Sequence, residues 1–129
     1  MKSATPNMQD YESAYRDESL EVPELFNFGF DVVDRWAEDR TKLALISVDP
    51  TGEMAEQHTF WDLKGQSNRF ANALLSLGIK KGDRVFIMLP RVPEWYAAML
   101  GMMKLGVVPM PATTLCTSRD IAYRVNQAE

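Results

Sequence analysis

Few side chains in this sequence stand where a ligand site is expected, and the most prominent is Arg91. It follows the apolar run Arg84–Leu89, which has the pattern of a short buried strand stopped by a proline. Open α/β sheets bind ligands beyond the carboxyl ends of their strands. Arg91 is therefore a candidate substrate-binding residue. It can also be a rim arginine that caps carbonyl groups or pairs with Glu94.

Two threonines and one tryptophan complete the set of candidates. Thr113 and Thr114 follow a second apolar run, so their hydroxyls can meet a phosphate or an acyl group, or they can satisfy loop backbone. Trp95 and Tyr96 open a predicted helix, where they can line an apolar tunnel, although aromatic residues at helical spacing more often belong to the core. The candidate substrate-binding residues are thus Arg91, Trp95, Thr113 and Thr114.

Catalytic and metal-binding groups are scarce. The chain has 1 His and 1 Cys, and neither a Ser/His/Asp nor a Cys/His arrangement can be formed from them with any known local signature. One His and one Cys do not make a metal cluster either. We predict that His58 and Cys116 are structural, and that this segment holds no catalytic and no metal-binding residue.

The glycines do not form a phosphate-binding loop. Gly101 and Gly106 have the spacing of the first two P-loop glycines, but Val107 and Val108 replace the Lys and the Ser/Thr that should follow. No glycine lies in the turn 90–93 after the first strand, where a dinucleotide-binding enzyme needs several. An NAD enzyme is therefore disfavoured.

The second half of the chain reads as a strand–helix–strand–helix unit. The strand Arg84–Leu89 precedes a helix that should begin near Glu94, with Pro93 at its first position and Gly106 closing it. A second strand spans 107–111, and Thr117 with Asp120 predicts a capping box for a last helix. Two strands flanking one helix imply a parallel crossover connection.

The first half is predicted to contain an arm, two helices and a hairpin. Met1–Glu21 is polar and should lie over the surface, with Tyr11 and Tyr15 as anchors. A helix is expected from about Gly29 to Arg40, with Val33, Trp36 and Ala37 on its apolar face and Asp34 on its wet face. Residues 43–48 and 54–60 are predicted to form a β-hairpin. The next helix should be capped by Thr59 and Asp62 and run to Leu77. Its apolar stripe consists of Leu63, Phe70, Leu74 and Leu77.

Composition excludes several classes of function. The 129 residues suffice for about one domain, and the net charge of −4, with no basic block beyond Lys80-Lys81, argues against nucleic acid as a partner. No apolar run approaches the length of a membrane span. The first residues of the chain are rich in Asp and Glu, whereas a mitochondrial transit peptide is rich in Arg. A cytoplasmic location is therefore expected.

The motifs also support a resemblance to a known family. The chain is similar to AMP-forming acyl-CoA synthetases, and most of all to their medium-chain branch. Roughly a hundred residues carry this likeness, in the following segments: Phe26-Asn-Phe28, Asp31-Val-Val-Asp-Arg-Trp-Ala37, Thr59-Phe-Trp61, Ser67-Asn-Arg-Phe-Ala71, Lys81-Gly-Asp-Arg-Val85, Leu89-Pro-Arg-Val-Pro-Glu-Trp95, Gly101, Lys104, Gly106, Pro111, Thr113 and Asp120-Ile-Ala-Tyr-Arg124.

The resemblance implies a fold and a division of the chain. The expected fold class is α/β: a partial N-terminal subdomain of the adenylate-forming fold, made of a β-hairpin and a βαβα unit with parallel strands. Residues 1–22 would be an N-terminal arm, and residues 23–129 the first, incomplete part of the large N-terminal domain. Because the last helix is barely three turns long at the final residue, we expect the chain to be truncated.

The resemblance also implies an activity for the parent protein. Such a ligase uses ATP, Mg²⁺ and CoA to convert a carboxylic acid through an acyl-adenylate into a thioester, and a homo-oligomer of the parent is compatible with it. The family's loop T-S-G-T-T-G-x-P-K is absent here, and Leu115 stands where medium-chain relatives have a Gln that touches CoA. We therefore expect the chain alone to be inactive.

Three alternative functions remain open at this point, and the simplest is a nucleotide-binding module, which titration with ATP or CoA would reveal. The parent could be another acid ligase of the superfamily, acting on acetate or an aryl acid, because the scaffold segment lacks most acid-binding residues. The chain could also be a non-catalytic protein that docks to a partner through an uncovered sheet edge.

Overall fold

The computed structural model describes residues 10–17 and 23–128. In chain order its elements are α1 (Tyr11–Asp17), a π-helix (Phe28–Asp34), β1 (Leu43–Val48), β2 (Ala55–Thr59), α2 (Phe60–Ser76), β3 (Arg84–Ile87), α3 (Pro93–Leu105), β4 (Val108–Pro111) and α4 (Ser118–Gln127). The α/β class, with one hairpin and one βαβα unit, is confirmed.

The hairpin forms from the predicted segments. β1 and β2 pair antiparallel, with Val48 opposite Ala55 and Leu45 opposite His58. Asp49 begins the connecting turn, where its carboxylate accepts the Met54 N–H at 3.0 Å. The hairpin therefore closes through local hydrogen bonds, and its second strand begins one residue later than the pattern predicts.

The βαβ unit is parallel, as predicted. β3 and β4 pair from Arg84 opposite Val108 to Ile87 opposite Pro111, with α3 between them in the sequence. Pro93 is the first residue of α3, and Gly106 ends the helix at φ 67°, a left-handed conformation that favours glycine. β3 itself is two residues shorter than the sequence indicates.

The main core lies where α2 and α3 pack against β3. Its buried members are Leu74, Ile87, Ala98, Met102 and Val107, and Met102 is 0% exposed. A second buried group joins the π-helix to the two long helices through Val33, Leu63 and Leu100. This packing fixes the start of α3, and therefore the position of the candidate residues next to it.

The predicted helix Gly29–Arg40 is wrong in type and extent. The segment is a π-helix over Phe28–Asp34, and Trp36, expected on the apolar face, is 45% exposed. Trp36 packs beside Phe60 and under the Lys42 ammonium instead. Val33 and Ala37, predicted on the same face, are buried at 3% and 1% exposed, so the π-helix geometry displaces Trp36 but not the whole face.

The predictions for Leu77 and for the two tyrosine anchors also need correction. Leu77 is 75% exposed, because α2 ends at Ser76 before its apolar stripe reaches that position. Tyr11 and Tyr15 stack on each other at 6.0 Å and are 64% and 74% exposed, so neither is buried as an anchor would be. The rest of the predicted arm, residues 1–9 and 18–22, lies outside the described residues.

Within residues 10–17 and 23–128, no helix has both the length and the apolar character that a membrane crossing requires.

Candidate functional site

A cleft opens just beyond the carboxyl end of β3. It has a volume of about 260 Å³ and is lined by Leu89, Pro90, Arg91, Trp95 and Tyr96. Two of the four sequence-predicted residues, Arg91 and Trp95, therefore share one cavity. This is the position at which parallel sheets place their ligands.

The two aromatic residues of the cleft differ in their surroundings. The rings of Trp95 and Tyr96 meet edge to face at 5.2 Å. Trp95 packs against the main core, whereas Tyr96 is 46% exposed. Trp95 thus has a packing role, in agreement with the core interpretation, while it also forms one wall of the cleft.

Arg91 is the charged group of the cleft and is exposed. Its guanidinium makes no ion pair or hydrogen bond with another described residue, so the alternative pairing with Glu94 is not formed. A second cleft of about 190 Å³, lined by β1 and the start of α3, meets the first at Arg91. An unpaired guanidinium between two clefts can bind a carboxylate or a phosphate with two parallel N–H donors.

Thr113 and Thr114 do not line either Arg91 cleft. Thr113 Oγ1 accepts the Leu115 N–H at 3.3 Å, and its carbonyl accepts the Cys116 N–H at 3.1 Å. The loop after β4 is therefore a turn built on Thr113, as the backbone alternative predicts. Thr114 is exposed, and a binding role for either hydroxyl stays a prediction.

A buried polar cluster lies on the other end of α3, and the sequence did not reveal it. Lys104 is only 7% exposed, and its Nζ donates to Asp34 at 2.7 Å, Asn68 at 2.7 Å and Ser67 at 3.0 Å. All three ammonium donors are used, which is how a buried lysine remains compatible with the core. Asp34 was expected on the wet face of its helix, and this is wrong.

Asn27 completes the same junction. Its side-chain amide donates to the Met103 carbonyl at 2.9 Å, while its carbonyl oxygen accepts the Gly29 N–H at 3.0 Å. It therefore caps the end of α3 and the start of the π-helix together. Gly29 is required there, since an added Cβ would lie 2.6 Å from Lys104 Cγ. One signal in the sequence was available: apart from Glu94 in the first turn, Lys104 is the only charged residue of α3.

Asp62 and Asp120 are two carboxylates whose pKa is lowered, and both have structural roles. Hydrogen bonds from the Thr59 hydroxyl and backbone lower the pKa of Asp62, and Thr117 does the same to the pKa of Asp120. Both are capping boxes, with the Thr hydroxyl bound to the backbone N–H in return. The ionised form of each carboxylate therefore caps the N-terminus of a helix, Asp62 at the start of α2 and Asp120 at the start of α4.

Comparison with known proteins identifies the family. Residues 32–129 match the family described as AMP-binding enzyme. The chain belongs to this family.

Similar curated proteins include several acyl-CoA synthetases. The mitochondrial acyl-coenzyme A synthetase ACSM3 of Homo sapiens is 37% identical over 99% of this chain and 23% of its own length. The mitochondrial ACSM2 of Rattus norvegicus is 42% identical over 84% of this chain and 20% of its own length. The chain therefore spans less than a quarter of the curated relatives it matches, and the predicted likeness to the medium-chain branch is confirmed.

Solved structures of the family show the same fold. The N-terminal subdomain of Klebsiella oxytoca NpsA has a TM-score of 0.69 and 28% identity, covering 81% of this chain and 26% of that chain. The inhibitor-bound N-terminal domain of FACL13 from Mycobacterium tuberculosis has a TM-score of 0.69 and 27% identity, covering 81% and 25%. The chain thus has the fold of one part of such a subdomain.

The described part of this chain, residues 10–17 and 23–128, lacks two features that commonly mark metal and phosphate sites. It contains no group of three or more His, Cys, Asp or Glu side chains that could hold a metal ion. The turn after β3 has no glycine with which to approach a phosphate chain.

Proposed function

We propose that the chain is the N-terminal scaffold portion of an acid:CoA ligase. The whole enzyme would activate a carboxylic acid with ATP and Mg²⁺ to an acyl-adenylate, release pyrophosphate and transfer the acyl group to CoA. The observation that carries the proposal is the 37% identity to human ACSM3 across 99% of this chain.

The proposal divides the chain into an arm, residues 1–22, and the first part of a large domain, residues 23–129. Support comes from the packing of the π-helix, whose Val33 lies in a buried group with Leu63 and Leu100. Limited proteolysis tests the division. We expect early cleavage before residue 23 and a resistant product that begins near Pro23. Early cleavage inside 23–128 would contradict it.

The scaffold role is tested with a single-chain chimera. This chain replaces the aligned N-terminal segment of human ACSM3, and thioester formation is measured with a panel of straight-chain acids. We expect activity that depends on acid, ATP and CoA together. A chimera that unfolds cooperatively but has no activity, beside an active unmodified ACSM3, would contradict the proposal.

The chain on its own is proposed to be inactive. Adenylation requires preorganised donors at the phosphates and a cation against the developing charge, and the family's T-S-G-T-T-G-x-P-K loop is not among these 129 residues. We expect no acid-dependent ATP–pyrophosphate exchange by the purified chain. Exchange above the level of a heat-denatured control would refute this part of the proposal.

The Arg91 cleft is proposed to contact the acid or nucleotide in the whole enzyme, with Trp95 as its wall. In the chimera, Arg91→Ala should lower kcat/KM by about tenfold, because a hydrogen bond to a charged group is lost. Arg69→Ala is the matched control, since Arg69 is an exposed arginine on α2. Equal activities of the two variants would remove Arg91 from the site. Parallel Thr113→Val and Thr114→Val variants test the two hydroxyls.

An aryl acid ligase is the second candidate function. One of the similar structures is Klebsiella oxytoca NpsA in complex with 3-hydroxyanthranilyl-AMSN, at 29% identity. The acid panel should therefore include acetate, benzoate and aminobenzoates assayed with the native gene product. A preference for the aryl acids would replace the medium-chain assignment while leaving the ligase proposal intact.

A cytoplasmic location is part of the proposal, since the single cysteine, Cys116, fits a reducing compartment. The mammalian relatives are named as mitochondrial proteins. Cell fractionation with an antibody against this chain distinguishes the two compartments, and recovery with the mitochondrial matrix would contradict the cytoplasmic assignment.

A further inference from the structure

The two clefts beside α3 meet at a single charged group. Arg91 and Tyr96 line both clefts, and Ser47 of β1 lines the smaller one, so two hydroxyl groups accompany the guanidinium. Among the described residues that line either cleft, Arg91 is the only charged one. A guanidinium without an opposing carboxylate makes this place locally positive on a chain with a net charge of −4. We call Arg91 and Tyr96 the cleft junction, and its charge favours an anionic ligand.

The shape of the two clefts restricts where that ligand carries its charge. The larger cleft, of about 260 Å³, has apolar walls formed by Leu89, Pro90 and Trp95. The smaller cleft, of about 190 Å³, follows β1 from Leu45 to Val48. A ligand that fills both must therefore have an anionic group in its interior and an organic group on each side. A straight-chain acid has its charge at one end, so it would occupy only one cleft.

The donors of the turn distinguish one class of phosphate ligand from another. ATP binds together with Mg²⁺, which takes carboxylate ligands from the protein, and no Asp or Glu lines either cleft within the described part of the chain. Pro90 and Pro93 have no N–H, and the Val92 N–H donates to the Pro90 carbonyl at 2.9 Å. The turn therefore offers a side-chain fork instead of a backbone cradle. Such a fork suits a diphosphate that binds without a metal ion.

We propose that the cleft junction binds the diphosphate of coenzyme A, with the Arg91 guanidinium and the Tyr96 hydroxyl as donors. CoA carries this diphosphate between pantetheine and adenosine, which is the arrangement that two clefts on either side of one arginine require. The choice of CoA among organic diphosphates rests on the proposed function. The inference narrows the contact of Arg91 with the acid or the nucleotide to one substrate.

Binding is measured with the purified 129-residue chain, so the test needs no catalytic activity. CoA is titrated with the chain while its ³¹P resonances are followed by NMR. We expect the two diphosphate resonances to shift until saturation, and the 3′-phosphate resonance to stay unchanged. The Kd of 3′-dephospho-CoA should lie within about twofold of the Kd of CoA. Pantetheine and inorganic pyrophosphate should each bind roughly tenfold more weakly, because each occupies only part of the site.

Substitutions at the cleft junction separate charge from geometry. Arg91→Ala should raise the Kd of CoA by about tenfold, since charge-assisted hydrogen bonds are lost. Arg91→Lys should recover only part of the affinity, because lysine keeps the charge without the planar fork. Tyr96→Phe should raise the Kd by about threefold. Arg69→Ala, at an exposed arginine of α2, is the matched control and should leave the Kd unchanged. Urea unfolding shows that each variant is folded, as expected for the exposed Arg91.

Several results would overturn the inference. Equal CoA affinities of Arg91→Ala and Arg69→Ala would remove Arg91 from the site, and a larger shift of the 3′-phosphate resonance would assign the junction to a terminal phosphate. Displacement of CoA by an equal concentration of decanoate would make it a carboxylate site. Mg-ATP that binds as tightly as CoA, or a folded chain without saturable CoA binding, would also contradict the proposal.

Failure of the ligase proposal gives a different pattern. A chain that binds CoA through Arg91, while the ACSM3 chimera forms no thioester, would support the site and contradict only the activity. In an active chimera, Arg91→Ala should raise the KM for CoA and leave the KM for the acid unchanged. An active chimera with the same KM for CoA in Arg91→Ala and Arg69→Ala would contradict only the site.

Discussion

At the scale of single residues, the most informative side chain is Lys104. Its ammonium is buried at the junction of the π-helix, α2 and α3, and it donates to Asp34 on the π-helix and to Ser67 and Asn68 on α2. Removing one member of a buried ion pair leaves the other charge without compensation, which costs more than the pair contributes net. Lys104 should therefore determine how these three helices fit together.

Replacing Lys104 tests this role. Lys104→Met should lower the free energy of unfolding by about 3 kcal/mol, because the Asp34 carboxylate loses its partner. The double variant Lys104→Met/Asp34→Leu should recover a large part of the loss. Lys80→Met, at an exposed lysine, is the control. Urea unfolding measures the free energy of unfolding of all three variants. A decrease for Lys104→Met that is no larger than the decrease for Lys80→Met would contradict the account.

The capping carboxylate Asp62 should make stability depend on pH. Hydrogen bonds from Thr59 lower its pKa below the ordinary 3.8, so the folded state favours the ionised form. The stabilisation is complete above pH 3.8 and is lost as the pH falls through the lowered value. Asp62→Asn should therefore be less stable than the parent chain at pH 7, and the two urea midpoints should converge in acid. A pH-independent difference would refute the capping role.

At the scale of elements, the contact between α2 and α3 organises the molecule. Gly101 allows this contact, since a Cβ added there would lie 2.8 Å from the Ser67 carbonyl oxygen. Gly65 is also helical, yet an added Cβ would meet only the Arg69 guanidinium, at 3.7 Å. Gly101 is thus required for the close approach of α2 and α3, whereas Gly65 has room for a larger side chain.

Alanine at these two positions provides a matched comparison. Gly101→Ala should destabilise by about 2 kcal/mol through overpacking of the helix interface. Gly65→Ala should stabilise by about 1 kcal/mol, because alanine has the higher helix propensity. Thermal unfolding of both variants measures the two changes in the free energy of unfolding. The same sign of change at both sites would show that Gly101 does not mark a close approach.

Elements encoded by local signals could be predicted from the sequence. The Thr59 and Thr117 capping boxes and the Gly106 end of α3 formed as expected, because each depends on residues a few positions apart. The π-helix could not be predicted in the same way. Its geometry is fixed by Asn27 and Asp34, whose partners on α3 lie 76 and 70 residues away in the chain.

At the scale of the whole molecule, two of the four predicted substrate-binding residues lie in one cleft. Arg91 and Trp95 share a cleft because both follow β3 within a few residues, whereas Thr113 and Thr114 belong to a turn outside it. Strand ends predict which edge of a sheet a residue occupies, but not the direction of a loop beyond it. The position of α4 beside β3 and β4 could not be predicted either, because it depends on contacts between residues far apart in the chain.

The central claim, that this chain is one part of a larger ligase, is tested most directly by the intact mass of the native gene product. An antibody against residues 23–128 would isolate the product for mass spectrometry. Because the chain spans 23% of human ACSM3, the account predicts a mass several times the 14.7 kDa of these residues. A native product of 14.7 kDa, with no second polypeptide bound to it, would contradict the account.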